Sequence, residues 1–103
     1  MLRILITDDH AVVRRGLKQI LEEQFDNVVF GEAQNTREML QHLQKESWDV
    51  LILDISLPDR SGLEMLGELK LKYPNLPVLI LSMHPEDQFA ARMMRASKAG
   101  HMM

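Results

Sequence analysis

The sequence contains no cysteine, so disulfide bridges and thiolate metal sites are excluded, and a reducing cytoplasmic setting is allowed. No apolar run reaches membrane-spanning length, and the short run at the start meets Asp8 and Asp9 too soon for a signal peptide. A net charge of only −3 gives no reason to expect nucleic-acid binding by this segment. We therefore expect one cytoplasmic globular domain, for which 103 residues suffice.

Three short apolar runs, at residues 4–6, 50–53 and 78–81, are continuous rather than alternating with polar residues. Such runs are typical of strands that are buried on both faces in a parallel sheet. A weaker run at residues 28–31 is predicted to form an edge strand. The sequence thus indicates at least four strands.

Between these runs the apolar residues follow helical spacing. The predicted apolar faces are Val13, Leu17, Ile20 and Leu21; Met39, Leu40 and Leu43; Leu63, Leu66 and Leu69; and, after a first turn at residues 85–87, Phe89, Met93 and Ala96. Asn35 with Glu38, and Ser61 with Glu64, match the capping box that begins a helix. The alternation of strands and helices predicts an α/β fold with right-handed crossovers and helices on both faces of the sheet.

Polar side chains follow three of the predicted strands directly. Asp8 and Asp9 come after the first, Asp54 after the third and Ser82 after the fourth. Because ligands bind at the carboxyl ends of parallel strands, we expect these residues to meet at one edge of the sheet. Each one alone is more often a helix cap or turn residue, but the coincidence of all four favours a functional site.

Three carboxylates in one place repel one another and raise each other's pKa, a cost that a divalent cation removes. Mg²⁺ typically binds one or two carboxylates together with phosphate oxygens. A carboxylate is also a competent nucleophile toward a phosphoryl group, and Asp54 suits this role because it lies on a central strand. Ser82 is predicted to donate a hydrogen bond to the bound phosphate.

Three segments carry a recognisable pattern: residues 8–10 with Val13, Arg14, Gly16 and Leu17; residues 54–59 with residues 61–64; and residues 78–82. Together they resemble the receiver domains of two-component response regulators, most closely those of the NarL/FixJ subfamily with a helix-turn-helix output domain. The likeness extends from Leu2 to about Ala96. It implies a flavodoxin-like (CheY-like) doubly wound sheet with strand order 2-1-3-4.

The resemblance also implies roles for individual residues. Asp54 would accept a phosphoryl group from a sensor histidine kinase, and Mg²⁺ would bind Asp54, Asp9 and, less directly, Asp8, with the backbone carbonyl of Ser56 as a further ligand. Ser82 would turn toward the phosphate as a switch residue. Pro58 and Gly62 would shape the adjoining loop. The domain would not be a classical enzyme, and its parent protein would be a DNA-binding transcriptional regulator.

The C-terminal residues depart from the family pattern. Receivers of this family usually carry a lysine on a fifth strand, a role that Lys98 is not expected to fill, so no catalytic lysine is predicted and switching should be impaired. Residues 98–103 do not resemble a strand, and residues 100–102 resemble a cloning remnant. We therefore predict a truncated receiver domain over residues 1–103. Its exposed fourth strand should favour a dimer or a domain swap.

Two other functions are compatible with parts of the pattern. A phosphohydrolase of the haloacid dehalogenase type also uses an aspartyl phosphate, but it needs a second acid where this chain has Ser56. A receiver-like interaction module without phosphorylation is the other alternative. The four histidines show no metal-ligand spacing and are predicted to be surface or cap residues, although His10 could modulate the acidic site.

Overall fold

The computed structural model describes residues 1–81 and the backbone of a short strand at residues 95–96. In this part of the chain five strands and three helices are formed. The strands are β1 (Leu2–Thr7), β2 (Val28–Ala33), β3 (Val50–Asp54), β4 (Val78–Leu81) and β5 (Arg95–Ala96), and the helices are α1 (Ala11–Gln24), α2 (Thr36–Lys45) and α3 (Gly62–Lys72). None of these helices combines the length and hydropathy needed to cross a bilayer.

The strands form one sheet in the order β2-β1-β3-β4-β5, in which the first four are parallel. This arrangement confirms the predicted α/β fold and the order 2-1-3-4, with β2 at one edge of the sheet. Parallel neighbours must be joined by crossovers, and α1, α2 and α3 supply them.

The outer edge of β4 has a partner, contrary to the prediction of a wholly exposed edge. β5 pairs antiparallel with β4, joining Ala96 to Leu79 and Arg95 to Ile80. The prediction of Ala96 on a helix face is therefore wrong as well. An unpaired strand edge presents N–H and C=O groups that readily accept another strand, which explains the pairing. The rest of the predicted last helix lies outside the described residues.

Apolar side chains pack on both faces of the sheet. The larger cluster joins Leu5, Leu51 and Leu53 of the strands to Met39, Leu43, Met65 and Leu69 of α2 and α3. The smaller joins Ile4, Ile6, Ile52 and Leu81 to Val13, Leu17 and Leu21 of α1. The continuous apolar strands thus serve two core layers, which fixes the sheet rigidly beneath its carboxyl edge.

Besides Ala96, the predicted helix faces are wrong at two positions. Ile20 is 56% exposed and Leu63 is 59% exposed, although both were expected to be buried. The buried face of α3 is instead formed by Met65 and Leu69, which are four residues apart. Leu63 lies in the first turn of α3, where the capping residue Ser61 sets the helix start and directs that position to solvent.

Candidate functional site

Three carboxylate side chains and one imidazole meet at the carboxyl edge of the sheet. Asp8, Asp9, His10 and Asp54 each offer one ligand atom, and these atoms all lie within 4.8 Å of one another. Asp8 follows β1 and Asp54 ends β3, and β1 and β3 are hydrogen-bonded neighbours. Strand pairing therefore brings together residues that are far apart in the sequence. Ser82 lies outside the described residues.

Asp8 is buried, and its side chain is 1% exposed. One carboxylate oxygen, Oδ1, accepts a hydrogen bond of 2.7 Å from the backbone N–H of His10. The other, Oδ2, has no hydrogen-bond partner within the part of the chain that the structure describes. Leaving a buried carboxylate oxygen without a partner is costly, so this atom is suited to receive a cation.

Asp54 is buried at the end of β3, where Oδ1 accepts a hydrogen bond of 3.0 Å from the backbone N–H of Ser56. Burial raises the pKa of Asp54, the Ser56 hydrogen bond opposes this rise, and the charges of Asp8 and Asp9 add to it. The predicted repulsion between carboxylates is therefore present at Asp54, but burial is the larger cause.

His10 joins the carboxylates, which the sequence spacing of the histidines did not indicate. Nδ1 lies 3.0 Å from Asp8 Oδ1 and 3.2 Å from Asp9 Oδ1, while most of the ring is exposed. The hydrogen bond with Asp8 and the charge of Asp9 raise the pKa of His10. The only sequence signal for this arrangement was that His10 directly follows the acidic pair.

The donor set fits a hexacoordinate cation such as Mg²⁺. Opposite ligands of octahedral Mg²⁺ lie about 4.2 Å apart, twice a metal–oxygen distance of about 2.1 Å. The ligand atoms of the cluster lie within 4.8 Å of one another, which is close to this span. Hard carboxylate oxygens and the unpartnered Asp8 Oδ2 match the preference of Mg²⁺ for oxygen ligands.

Arg14 holds the loop that carries Asp8 and was missed as a site residue. Nη1 donates to the backbone carbonyl of Asp8 at 2.5 Å, and Nε donates to Glu32 Oε1 at 2.7 Å. Lys18 Nζ donates to the other Glu32 oxygen at 2.7 Å. The hydrogen bonds from Lys18 and Arg14 lower the pKa of Glu32. No spacing in the sequence indicates that α1 and β2 meet here.

The loop after β3 packs closely against the backbone of Asp54. A Cβ added to Gly62 would lie 2.5 Å from the carbonyl oxygen of Asp54 and 2.7 Å from the Cα of Ile55. Gly62 N–H also donates to the carbonyl of Ile55 at 3.1 Å. The absence of a side chain at Gly62 therefore permits this contact. Pro58, the other residue predicted to shape the loop, is exposed.

Asp59 ties the same loop to the start of α2, a contact that the sequence did not reveal. Its carboxylate accepts hydrogen bonds from the Thr36 backbone N–H at 3.1 Å and from the Thr36 hydroxyl at 2.7 Å. Burial raises the pKa of Asp59, but these hydrogen bonds outweigh it and leave the pKa lowered. The ionised form of Asp59 is thus favoured at the N-terminus of α2.

A cavity of about 550 Å³ lies elsewhere, between the end of α2 and residues 73–76. Its lining includes Trp48 and Tyr73 but no member of the acidic cluster. Trp48 packs against the larger core cluster and donates from Nε1 to the carbonyl of His42 at 3.0 Å. Chemistry therefore locates the functional site at the acidic cluster, not at this cavity.

Comparison with protein families identifies a match to the response regulator receiver domain over residues 4–103. The response regulator GacA of Pseudomonas viridiflava is 32% identical over 102 residues, which cover 99% of this chain and 48% of GacA. The chain thus spans about half the length of the curated relatives it matches.

Two solved structures share this fold. The response regulator TrrA of Thermotoga maritima, in complex with Mg²⁺ and BeF, has a TM-score of 0.74 and 30% identity over 90% of this chain and 81% of that one. The response regulator RcsB of Salmonella typhimurium has a TM-score of 0.73 and 28% identity over 82% of this chain and 44% of that one. RcsB has also been solved as dimers bound to DNA.

Proposed function

Since the chain belongs to the response regulator receiver domain family, we propose that it accepts a phosphoryl group on Asp54 in a two-component phosphorelay. One observation carries this proposal: the buried Asp54 carboxylate lies within 4.8 Å of ligand atoms on Asp8, Asp9 and His10. A rigid carboxylate beside other acids has both a nucleophilic oxygen and the means to hold a cation.

Asp54, Asp9 and, less directly, Asp8 would hold Mg²⁺, with the backbone carbonyl of Ser56 as a further ligand. The bound cation would neutralise charge between the carboxylates and an incoming phosphate. The unpartnered Asp8 Oδ2 and the Mg²⁺-BeF complex of TrrA support this assignment. Pro58 and Gly62 shape the adjoining loop, and the close backbone contact at Gly62 supports its part in that role.

In the transfer step an Asp54 carboxylate oxygen bonds to phosphorus while the bond from phosphorus to the donor atom breaks. The Ser56 N–H bonded to Asp54 Oδ1 holds the carboxylate in place, so that its second oxygen is available for attack. The donor in the cell would be a phosphohistidine of a sensor kinase, and Ser82 would donate a hydrogen bond to the transferred phosphate.

The proposal extends to the setting of the domain. The parent protein would be a cytoplasmic regulator of transcription with a DNA-binding output domain, and the RcsB dimers bound to DNA support the DNA-binding part of this assignment. Receiver domains of such regulators are generally not classical enzymes, and residues 1–103 would act as a phospho-acceptor rather than as a turnover catalyst.

Intact mass after incubation with acetyl phosphate and Mg²⁺ tests this function. We expect the wild-type chain to gain the mass of one phosphoryl group, with release of acetate. When excess EDTA is present from the start, the chain should gain no mass. Asp54→Asn should gain nothing, while Asp26→Asn, at an exposed position, should label like wild type. A labelled Asp54→Asn variant would contradict the assignment of Asp54, and an unlabelled wild type would favour a pure interaction module.

A further inference from the structure

We propose that His10 Nδ1 serves as a nitrogen ligand at the acidic cluster, so that the site also takes borderline divalent transition-metal cations such as Ni²⁺. This inference rests on the cation site of the proposed function, and it adds a ligand and a class of cation to that site.

The geometry places the imidazole where a cation would be shared. Nδ1 approaches both Asp8 and Asp9, at 3.0 and 3.2 Å. One ring nitrogen of His10 also lies within 4.8 Å of ligand atoms on all three carboxylates of the cluster. The backbone N–H of His10 is bonded to Asp8 Oδ1, which holds residue 10 over the carboxylates. Among the described residues the buried Asp8 Oδ2 has no hydrogen-bond partner, which is an independent sign that the cluster can accept a cation.

The chemistry of the donors separates two classes of cation. Mg²⁺ is a hard ion that binds oxygen and keeps several waters, so it has little use for an imidazole. Ni²⁺ and Zn²⁺ bind imidazole well and generally bind a given mixed nitrogen and oxygen site more tightly than the earlier divalent metals. The three carboxylates can bind either cation, so removal of His10 should weaken Ni²⁺ binding more than Mg²⁺ binding.

A different role for His10 makes the opposite prediction. If His10 only supplied a positive charge to the carboxylates, it would compete with every cation, and removing it would tighten Mg²⁺ and Ni²⁺ binding alike. If it only held the loop, removing it would weaken both cations equally. Of the three roles, only that of a ligand predicts that removing His10 changes the ratio of Ni²⁺ affinity to Mg²⁺ affinity.

Calorimetric titration of the wild-type chain and of His10→Ala and His10→Asn with Mg²⁺ and with Ni²⁺ tests the ligand role. We expect both variants to bind Ni²⁺ about tenfold or more weakly, about 1.4 kcal/mol per tenfold, and Mg²⁺ with affinity changed less than twofold. The variants should fold normally, because the His10 side chain is 63% exposed. In the visible spectrum of the Co²⁺ form, His10→Ala should shift the bands.

Other histidines in the chain must be excluded as the source of Ni²⁺ binding. A variant with His42, His84 and His101 all replaced by glutamine should keep the wild-type ratio of Ni²⁺ to Mg²⁺ affinity. An unchanged ratio in both His10 variants would overturn the ligand role while leaving phosphorylation of Asp54 intact. Failure of Asp54 to label would instead overturn the proposed function, so the two failures are distinguishable.

Discussion

At the residue scale, Asp54 should destabilise the domain when no cation is bound. Its pKa is raised chiefly by burial, so the unfolded chain loses its proton at a lower pH than the folded domain does. Between the ordinary carboxyl pKa of the unfolded chain and the raised pKa of folded Asp54, the folded state binds more protons. The free energy of unfolding therefore falls as the pH rises across this interval. At pH values above the raised pKa, Asp54 is ionised in both states and destabilises the folded domain to the full extent.

We therefore predict that Asp54→Asn stabilises the domain in EDTA at neutral pH. The expected gain is on the order of 1 kcal/mol, or about 4–8 °C in Tm, and it should shrink as the pH is lowered toward the ordinary carboxyl pKa. Thermal unfolding followed by circular dichroism over a series of pH values measures this. A gain that is independent of pH would show that charge at Asp54 is not its source.

Gly62 should be intolerant of any side chain, for steric reasons. A Cβ there would meet backbone atoms of Asp54 and Ile55 at 2.5 and 2.7 Å, and backbone atoms cannot rotate away. We expect Gly62→Ala to cost about 1–3 kcal/mol in urea unfolding and to slow phosphorylation, because Asp54 is displaced.

Gly67 is the matched control for Gly62. It lies within α3, and a Cβ there would have nothing within 4 Å. Gly67→Ala should therefore stabilise the domain by about 0.5–1 kcal/mol and leave phosphorylation unchanged. Equal effects of the two substitutions would mean that helix propensity, not the contact with Asp54, determines both.

The residues of the site differed in how far the sequence could predict them. Asp8, Asp9 and Asp54 follow apolar runs directly, so their meeting could be inferred from strand polarity alone. The contacts of Arg14 with Glu32, and of Asp59 with Thr36, join different elements through side chains. Such contacts depend on how helices and loops pack on the sheet, which no local spacing encodes.

At the element scale, α1 is tied to the site through Arg14. Its guanidinium bridges the Asp8 carbonyl and the Glu32 carboxylate, so it links the loop after β1 to β2. Groups that orient metal ligands typically contribute ten- to a hundredfold to metal affinity. We predict that Arg14→Ala weakens Mg²⁺ binding about tenfold in calorimetry, without replacing any ligand.

Arg15→Ala provides the control for this prediction, because Arg15 is an exposed neighbour on the same helix. It should bind Mg²⁺ like wild type, and Arg14→Lys should recover part of the loss by keeping a positive charge near Glu32. Unchanged Mg²⁺ affinity in a folded Arg14→Ala variant would show that the loop holds its shape without this bridge.

The helices show where periodicity is informative and where it fails. The face of α2 was predicted correctly, since Met39 and Leu43 are buried and Leu40 packs beside them. In α3 the three-residue spacing of Leu63, Leu66 and Leu69 predicted Leu69 correctly, but it suggested a face shifted toward Leu63, whereas Met65 is buried and Leu63 is exposed. Leucines occupy both sides of α3, so hydrophobicity alone could not choose between them.

At the scale of the whole molecule, the parallel sheet was predictable and its outer edge was not. Continuous apolar runs identified β1, β3 and β4, and alternation with helices fixed the parallel class. β5 spans only two residues and contains Arg95, so it carries no strand pattern in the sequence. It forms where the chain finds an open edge, which is a tertiary effect.

Self-association through β4 stays our proposal for assembly. Among the described residues β5 pairs with β4 at Leu79 and Ile80, so a strand from a second copy would have to displace this antiparallel ladder to pair with β4. We predict a dimer or domain swap at tens of micromolar in multi-angle light scattering. Leu79→Lys should shift the chain toward monomer, because a charge on a strand edge opposes edge-to-edge pairing.

Leu71→Lys separates this edge from exposed apolar residues elsewhere, since Leu71 is 85% exposed on α3. Pairing through β4 predicts that Leu71→Lys keeps the wild-type mass while Leu79→Lys, folded by circular dichroism, loses it. Loss of the dimer in Leu71→Lys alone would move the interface to α3. A wild-type chain that stays monomeric over this concentration range would mean that the β5 pairing, though short, is enough to close the edge.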